Sequence, residues 1–175
     1  MSDLSRGTVC QQARRADFLP LEGVAQLSAP TIEEAAPGDE KCFMLWRKYR
    51  MLENVERHSL MVAQIAQDLA QRSVEVGANV DVASVRASAL LHDIAKTWSL
   101  RHECSHAAIG AAWVIMDTRH YAVAQGVLLH VRWPWPIPEG IAVCQLPILV
   151  YYADKRVRHD QCVTIDERCA DLLVR

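Results

Sequence analysis

The chain has 175 residues, 51% of them apolar and 23% charged, which suits one globular domain with its own core. A net charge of -2, from 19 Lys and Arg against 21 Asp and Glu, speaks against a bulk electrostatic grip on nucleic acid. No run reaches the ~18 apolar residues of a membrane span, and no apolar core follows Arg6, Arg14 and Arg15, so neither a membrane helix nor a signal peptide is expected. The cysteines form no C-x-x-C pair and read as reduced thiols of a cytoplasmic protein.

Residues 1–40 hold Pro20, Pro30 and Pro37 and little periodicity, and are read as a loosely structured N-terminal arm. Within it, Thr31 and Glu34 have the spacing of a capping box, for a short helix stopped by Pro37-Gly38. Residues 41–175 form the domain. Phe43, Leu45, Trp46, Tyr49, Leu52 and Val55 predict a helix or a broken helix, and Val62, Ile65 and Leu69 carry a second stretch to about Arg72. After a turn at Gly77 and Asn79, Asp81 caps a helix predicted to run to about Lys96. Ser105 caps another through Ile109, Trp113 and Met116, and a further helix covers about 121–131. Trp133-Pro134-Trp135-Pro136-Ile137-Pro138 cannot be helical, because alternating prolines fix φ and remove amide donors. Helices follow over about 141–158 and from Thr164, where Thr164 and Glu167 make a capping box. Strand-like alternation is nearly absent, so the fold expected is an all-α bundle of five to seven helices.

Polar side chains on the apolar stripes of these helices point to function. His58 lies four residues before Val62, on the stripe continued by Ile65 and Leu69. His92 follows Ala89 by three and Val85 by seven, with Asp93 beside it. His130 follows Val127 by three, and Asp154 follows Val150 by four. One histidine on an apolar face is most often a satisfied core residue. Four helices that each send an imidazole, a carboxylate or both into one core are poorly explained that way, since unpaired buried carboxylates cost several kcal/mol. A shared cation resolves the cost, keeping Asp93 and Asp154 ionised beside neutral imidazoles.

His106 opens the helix after the His92-Asp93 element and is a fifth imidazole within reach of such a site. A separate zinc site from His102, Cys104 and His106 is the alternative, weakened by a spacing of two and the lack of a fourth ligand. His120 and His159, amid polar neighbours, read as solvated. Imidazoles with carboxylates suit Fe, Mn, Co, Ni or Zn rather than calcium or magnesium. One ion would take His58, His92, Asp93 and Asp154; a second could take His106 and His130, with Asp93 bridging. Asp93 would orient a metal-activated water, and Lys96, four residues after His92, could balance a phosphate oxygen or simply close its helix. Arg132, Trp133 and Trp135, close behind His130, are candidate substrate contacts, the two indoles as a stacking platform or as a plain hydrophobic lid.

These residues resemble the HD-domain superfamily of metal-dependent phosphohydrolases, whose order is His, His-Asp, Asp on separate helices. Here they are His58 in "HSLMVAQIAQDLA", His92-Asp93 in "ALLHDIAK" and Asp154 in "YYADKRV", and His106 and His130 resemble the added ligands of dinuclear members. The resemblance covers about residues 45–173. It implies an all-α HD fold, one or two divalent ions, and hydrolysis of a phosphoester or phosphoanhydride in a small, nucleotide-like substrate. The Gly-Tyr-Pro signature of cyclic-dinucleotide hydrolases is absent after the doublet. Two other readings remain open: a catalytically silent metal- and nucleotide-binding module, and a di-iron oxidative enzyme. An oligomer is compatible with all three.

Overall fold

The computed structural model describes residues 35–173. The expected helix after Thr31, and the arm as far as residue 34, lie outside these residues. The described elements are α1 (Asp39–Lys48), α2 (Glu53–Glu75), α3 (Val82–Leu91), α4 (Lys96–His102), α5 (His106–Thr118), α6 (Tyr121–Leu129), a 3-10 turn (Gly140–Val143), α7 (Leu146–Lys155), β1 (Val157–Arg158), β2 (Gln161–Cys162) and α8 (Ile165–Leu173). The all-α class read from the sequence is what the chain adopts. The described cysteines are all free thiols. No described helix is long and apolar enough to cross a membrane.

α3 is the central element, packed by α1, α2, α6 and α7. Apart from Arg86, which pairs with Asp39 at the edge, its residues are apolar or small, and Val85 and Ala87 through Leu91 are buried, as befits a helix packed on most sides. The Asp81 carboxylate accepts the amides of Ala83 and Ser84 and so caps its start. α2 presents Val62, Ala63, Ala66 and Ala70, all fully buried, and these small side chains let it lie close on the core. Gly126 does the same for α6: a Cβ there would collide with Ser88 of α3 and Leu146 of α7. Ser88 Oγ donates to the Val123 carbonyl at 3.1 Å, tying α3 to α6 at that close approach.

α1 ends in a Schellman turn, with Met51 N–H on the Trp46 carbonyl at 3.0 Å, Arg50 N–H on that of Arg47 at 3.2 Å, and Arg50 left-handed at φ 52. The same Trp46 donates from Nε1 to the Leu90 carbonyl at 2.8 Å, deep in the core. Three elements depart from the sequence-based boundaries. α3 stops at Leu91 instead of continuing to Lys96, residues 92–95 form turns, and α4 begins a new, short helix. The helix predicted from 141 starts as a 3-10 turn and becomes α7 at Leu146, with Pro147 in its first turn. Val157 to Cys162 form an antiparallel hairpin, β1–β2, with His159 and Asp160 at its tip.

Candidate metal centre

The six polar side chains singled out from the sequence converge, five of them from at or beside a helix end. α2 carries His58, while His92 caps the C-terminus of α3 and Asp93 follows it into the turn. His106 is the first residue of α5, His130 caps the C-terminus of α6, and Asp154 lies in the last turn of α7. Helix C-termini leave four carbonyls without intrahelical amide partners. Two of the rings use them. His92 Nδ1 bonds the Ala89 carbonyl at 2.7 Å and His130 Nδ1 bonds that of Val127 at 2.6 Å. His58 Nδ1 finds an equivalent partner in the His159 carbonyl at 2.7 Å, at the tip of the hairpin. Since a carbonyl can only accept, all three rings carry a proton on Nδ1 and turn Nε2 toward the centre.

Asp93 stands between two groups of nitrogens. Its Oδ2 lies 3.5 Å from His92 Nε2, and its Oδ1 lies 3.3 Å from His106 Nε2 and 3.5 Å from His130 Nε2. Asp154 Oδ1 is 3.1 Å from His58 Nε2 and 3.7 Å from His92 Nε2. Two ligand sets result, His58–His92–Asp93 and Asp93–His106–His130, with Asp93 in both and Asp154 beside the first. His92 and Asp93 are almost wholly buried, yet His92 Nε2 and Asp93 Oδ1 have no hydrogen-bond partner. Orphaned buried acceptors of this kind are rare and costly. Both are electron-pair donors turned toward the shared space, so the residues present fit a divalent transition ion.

The electrostatics agree with that fit. Burial opposes ionisation of Asp93, but the rings of His92 and His130 and the Lys96 ammonium hold its carboxyl well below the usual range. Asp154 behaves alike: burial works against its charge, and His58, His92 and Lys155 outweigh it. Burial, opposed by Asp93 and assisted by His130, Lys96 and His92, pushes His106 down to about 4. At neutral pH the centre therefore offers charged carboxylates and a neutral His106, the protonation states that ligation requires.

A cleft of about 460 Å³ opens on His58 and Asp93 and is walled by Asn54, Arg57, Lys96, His159, Asp160 and Arg168. Lys96 Nζ sits 2.7 Å from Asp93 Oδ2, and Lys155 Nζ 2.6 Å from Asp154 Oδ2. Arg132, Trp133 and Trp135 do not line this cleft; the two indoles pack edge to face at 5.1 Å in their own extended loop. Among the described residues, His102 and Cys104 join no ligand group; His106 belongs with Asp93 and His130, and the His102 ring lies against Trp98. His120 is not solvated but 4% exposed, because its Nδ1 accepts the Val123 amide and caps α6. His159, exposed as expected, still supplies the backbone oxygen under His58. Sequence reasoning missed Asn54, Arg57 and Arg168. Arg57 adjoins His58 and could have been noted; nothing in the local text sends Arg168 of α8 to the same cleft.

A helical bundle that gathers His, His-Asp and Asp from separate helices around one centre defines a class. The family model for the HD domain matches residues 55–159, well over half of the chain, and the chain belongs to that family. Among curated proteins it is 36% identical over 112 residues to ribonuclease Y of Fusobacterium nucleatum subsp. nucleatum. That alignment covers 62% of this chain and 20% of the relative, so the chain spans about a fifth of the length of the protein it matches. No solved structure matches.

Proposed function

We propose that this chain is a metal-dependent phosphohydrolase that cleaves a phosphoester or phosphoanhydride bond of a nucleotide-like substrate. The observation that carries the reading is Asp93, a buried carboxylate shared by two sets of imidazole nitrogens at the floor of a cation-lined cleft. His58, His92, Asp93 and Asp154 would hold one divalent ion, and Asp93, His106 and His130 a second. When bound, such ions lower the pKa of water toward neutrality and act as Lewis acids toward phosphoryl oxygens.

The chain's own groups supply the rest. Lys96, hydrogen-bonded to Asp93 and 42% exposed toward the cleft, balances the charge of a bound phosphate together with Arg57 and Arg168. Asp93 orients the attacking water through a carboxylate that stays ionised. The carbonyls of Ala89, Val127 and His159 hold a proton on each Nδ1, which leaves Nε2 as the nitrogen each ring would offer a metal. The relative's name, a ribonuclease, puts RNA phosphodiesters beside mononucleotides and dinucleoside polyphosphates as candidate substrates.

The test is element analysis of protein purified without chelators, followed by a phosphoester and phosphoanhydride panel with Mn, Fe, Co, Ni or Zn. Bound transition metal and chelator-sensitive hydrolysis, read as phosphate or nucleotide products, are the expected results. Metal-bound protein that hydrolyses no member of the panel would overturn the hydrolase reading, and oxygen consumption by the ferrous form would replace it with an oxidative one.

A further inference from the structure

A second concavity, of about 500 Å³, lies across a ridge from the metal cleft. Its walls are Tyr49 and Arg50 at the end of α1, Trp98 and Arg101 of α4, and Trp113 of α5. The volume is that of a small-ligand site. Tyr49 and Trp113 stack at 4.0 Å with an interplanar angle of 5°, and the Tyr49 hydroxyl is pinned to Asp117 at 2.8 Å. Trp98 stands 6.2 Å from Trp113, meets the His102 ring at 3.8 Å, and is still 47% exposed. Lys48 at the rim is paired with Asp117. Arg50 and Arg101 have no partner among the described residues, and no acidic side chain lines the concavity. Open aromatic surface beside unpaired guanidinium groups is complementary to a base followed by a phosphate.

The concavity and the cleft are lined by neighbouring residues of the same two segments. Lys96 lines the cleft and Thr97 lines the concavity; Asn54 lines the cleft and Leu52 the concavity. The ridge between them is fixed by the Leu52 amide, which donates to Thr97 Oγ1 at 3.2 Å. A ligand lying over this ridge meets cations in the cleft and aromatic rings with cations beyond it, the alternation of a single-stranded polynucleotide.

We propose that this concavity is a base-stacking subsite for a single-stranded oligonucleotide whose backbone enters the metal cleft. The proposal rests on the phosphohydrolase reading of that cleft and narrows its substrate to a chain of nucleotides. Trp98 stacks a base, and Arg50 and Arg101 hold the phosphate next to it.

Fluorescence anisotropy of a labelled four-nucleotide oligoadenylate on the full chain, beside an abasic oligomer of equal length, tests it. The parent binds oligoadenylate more tightly than the abasic strand. Trp98→Ala raises the Kd for oligoadenylate about tenfold and removes the preference for bases. Arg50→Gly weakens binding to both strands and lowers the salt slope by about 1, while its thermal midpoint stays at or above the parent's because the turn is relieved. No binding by the parent, equal binding of the abasic strand, or variants within twofold of the parent would each overturn the subsite. So would displacement of oligoadenylate by an acidic aromatic peptide at lower concentration than unlabelled oligoadenylate, which would mark a protein-docking surface. Because binding is read without turnover, hydrolysis in the panel with indifferent binding sinks only the subsite, and selective binding with no hydrolysis in the panel sinks only the hydrolase.

Discussion

Replacing Asp93 by Asn keeps the shape of the side chain and removes its charge from both ligand sets. The carboxylate is 1% exposed and lies within 3.3–3.5 Å of three imidazole nitrogens, so the variant acts on ligation with little change of shape. In metal-free protein it loses the ion pair with Lys96, whose side chain is 42% exposed, and the attraction of the His92 and His130 rings. Removing a buried charge also relieves its desolvation, which offsets part of that loss, so the metal-free variant stays folded with reduced stability. With metal the two proteins diverge. A ligand at 100 times its Kd stabilises the folded state by about 2.7 kcal/mol per site, which raises the midpoint of a chain this size by about 5–11 °C. Thermal melts followed by circular dichroism, with and without Mn²⁺ after chelator treatment, should show that rise in the parent and less than about 2 °C in Asp93→Asn. Equal rises in both proteins would refute the assignment of Asp93 as the shared ligand. A collapsed helical signal in the metal-free variant would refute the claim that the fold survives loss of this charge.

Acid should weaken the metal-free domain early. His106 titrates near 4 when folded and near its ordinary 6.5 when unfolded, so between those values the unfolded chain binds the extra proton. Stability then falls as pH drops from 6.5 to 4, by at most about 1.4 kcal/mol per unit, and urea midpoints of His106→Gln should fall less steeply over that window. Asp93 and Asp154, held below the usual carboxylate range, add stability above about 3.9 that is lost only at still lower pH, so the two contributions separate in one titration. Gly126→Ala should cost about 1–3 kcal/mol in urea unfolding, since its methyl group meets Ser88 and Leu146 where α3, α6 and α7 converge. His159→Gly should keep metal binding and match or exceed the parent's stability: the carbonyl under His58 remains, and the left-handed φ of 60 suits glycine better.

The inward polar set was legible because helical periodicity is a strong signal in long, well-patterned helices. Val62, Ile65 and Leu69 fixed the buried side of α2, and His58 shares it; Val150 did the same for Asp154. Caps were legible too. Asp81, Ser105 and the Thr164–Glu167 pair all cap as their spacing suggests. The β1–β2 hairpin was not, since strands of two residues leave no alternation to read and Arg158 to Gln161 look like any polar turn. With it went the carbonyl that orients His58. The Trp133–Pro138 loop is extended, as its prolines require, but which surface such a loop covers depends on tertiary packing that no local pattern encodes. Arg57 and Arg168 share that difficulty, because an arginine on a helix reads as solvated until another element closes over it.

The end of α3 is the instructive departure. Local text from Asp81 to Lys96 favours one unbroken helix, and Ile94 and Ala95 are as buried as the residues before them. In a continuous helix the Ala89 carbonyl would accept the Asp93 amide, and Asp93 would point about 100° away from His92 around the helix axis. Ending the helix at Leu91 changes both. The Ala89 carbonyl goes to His92 Nδ1, Leu90's goes to Trp46, and Leu91's goes to the Ile94 amide at 3.1 Å. The last carbonyls are thus satisfied without a further turn of helix, and the doublet is free to set ring and carboxylate 3.5 Å apart. α6 repeats the device with His130 on Val127. A helix terminus supplies what a helix interior cannot, an acceptor that fixes a tautomer from behind, and local propensity is overridden where the chemistry needs it.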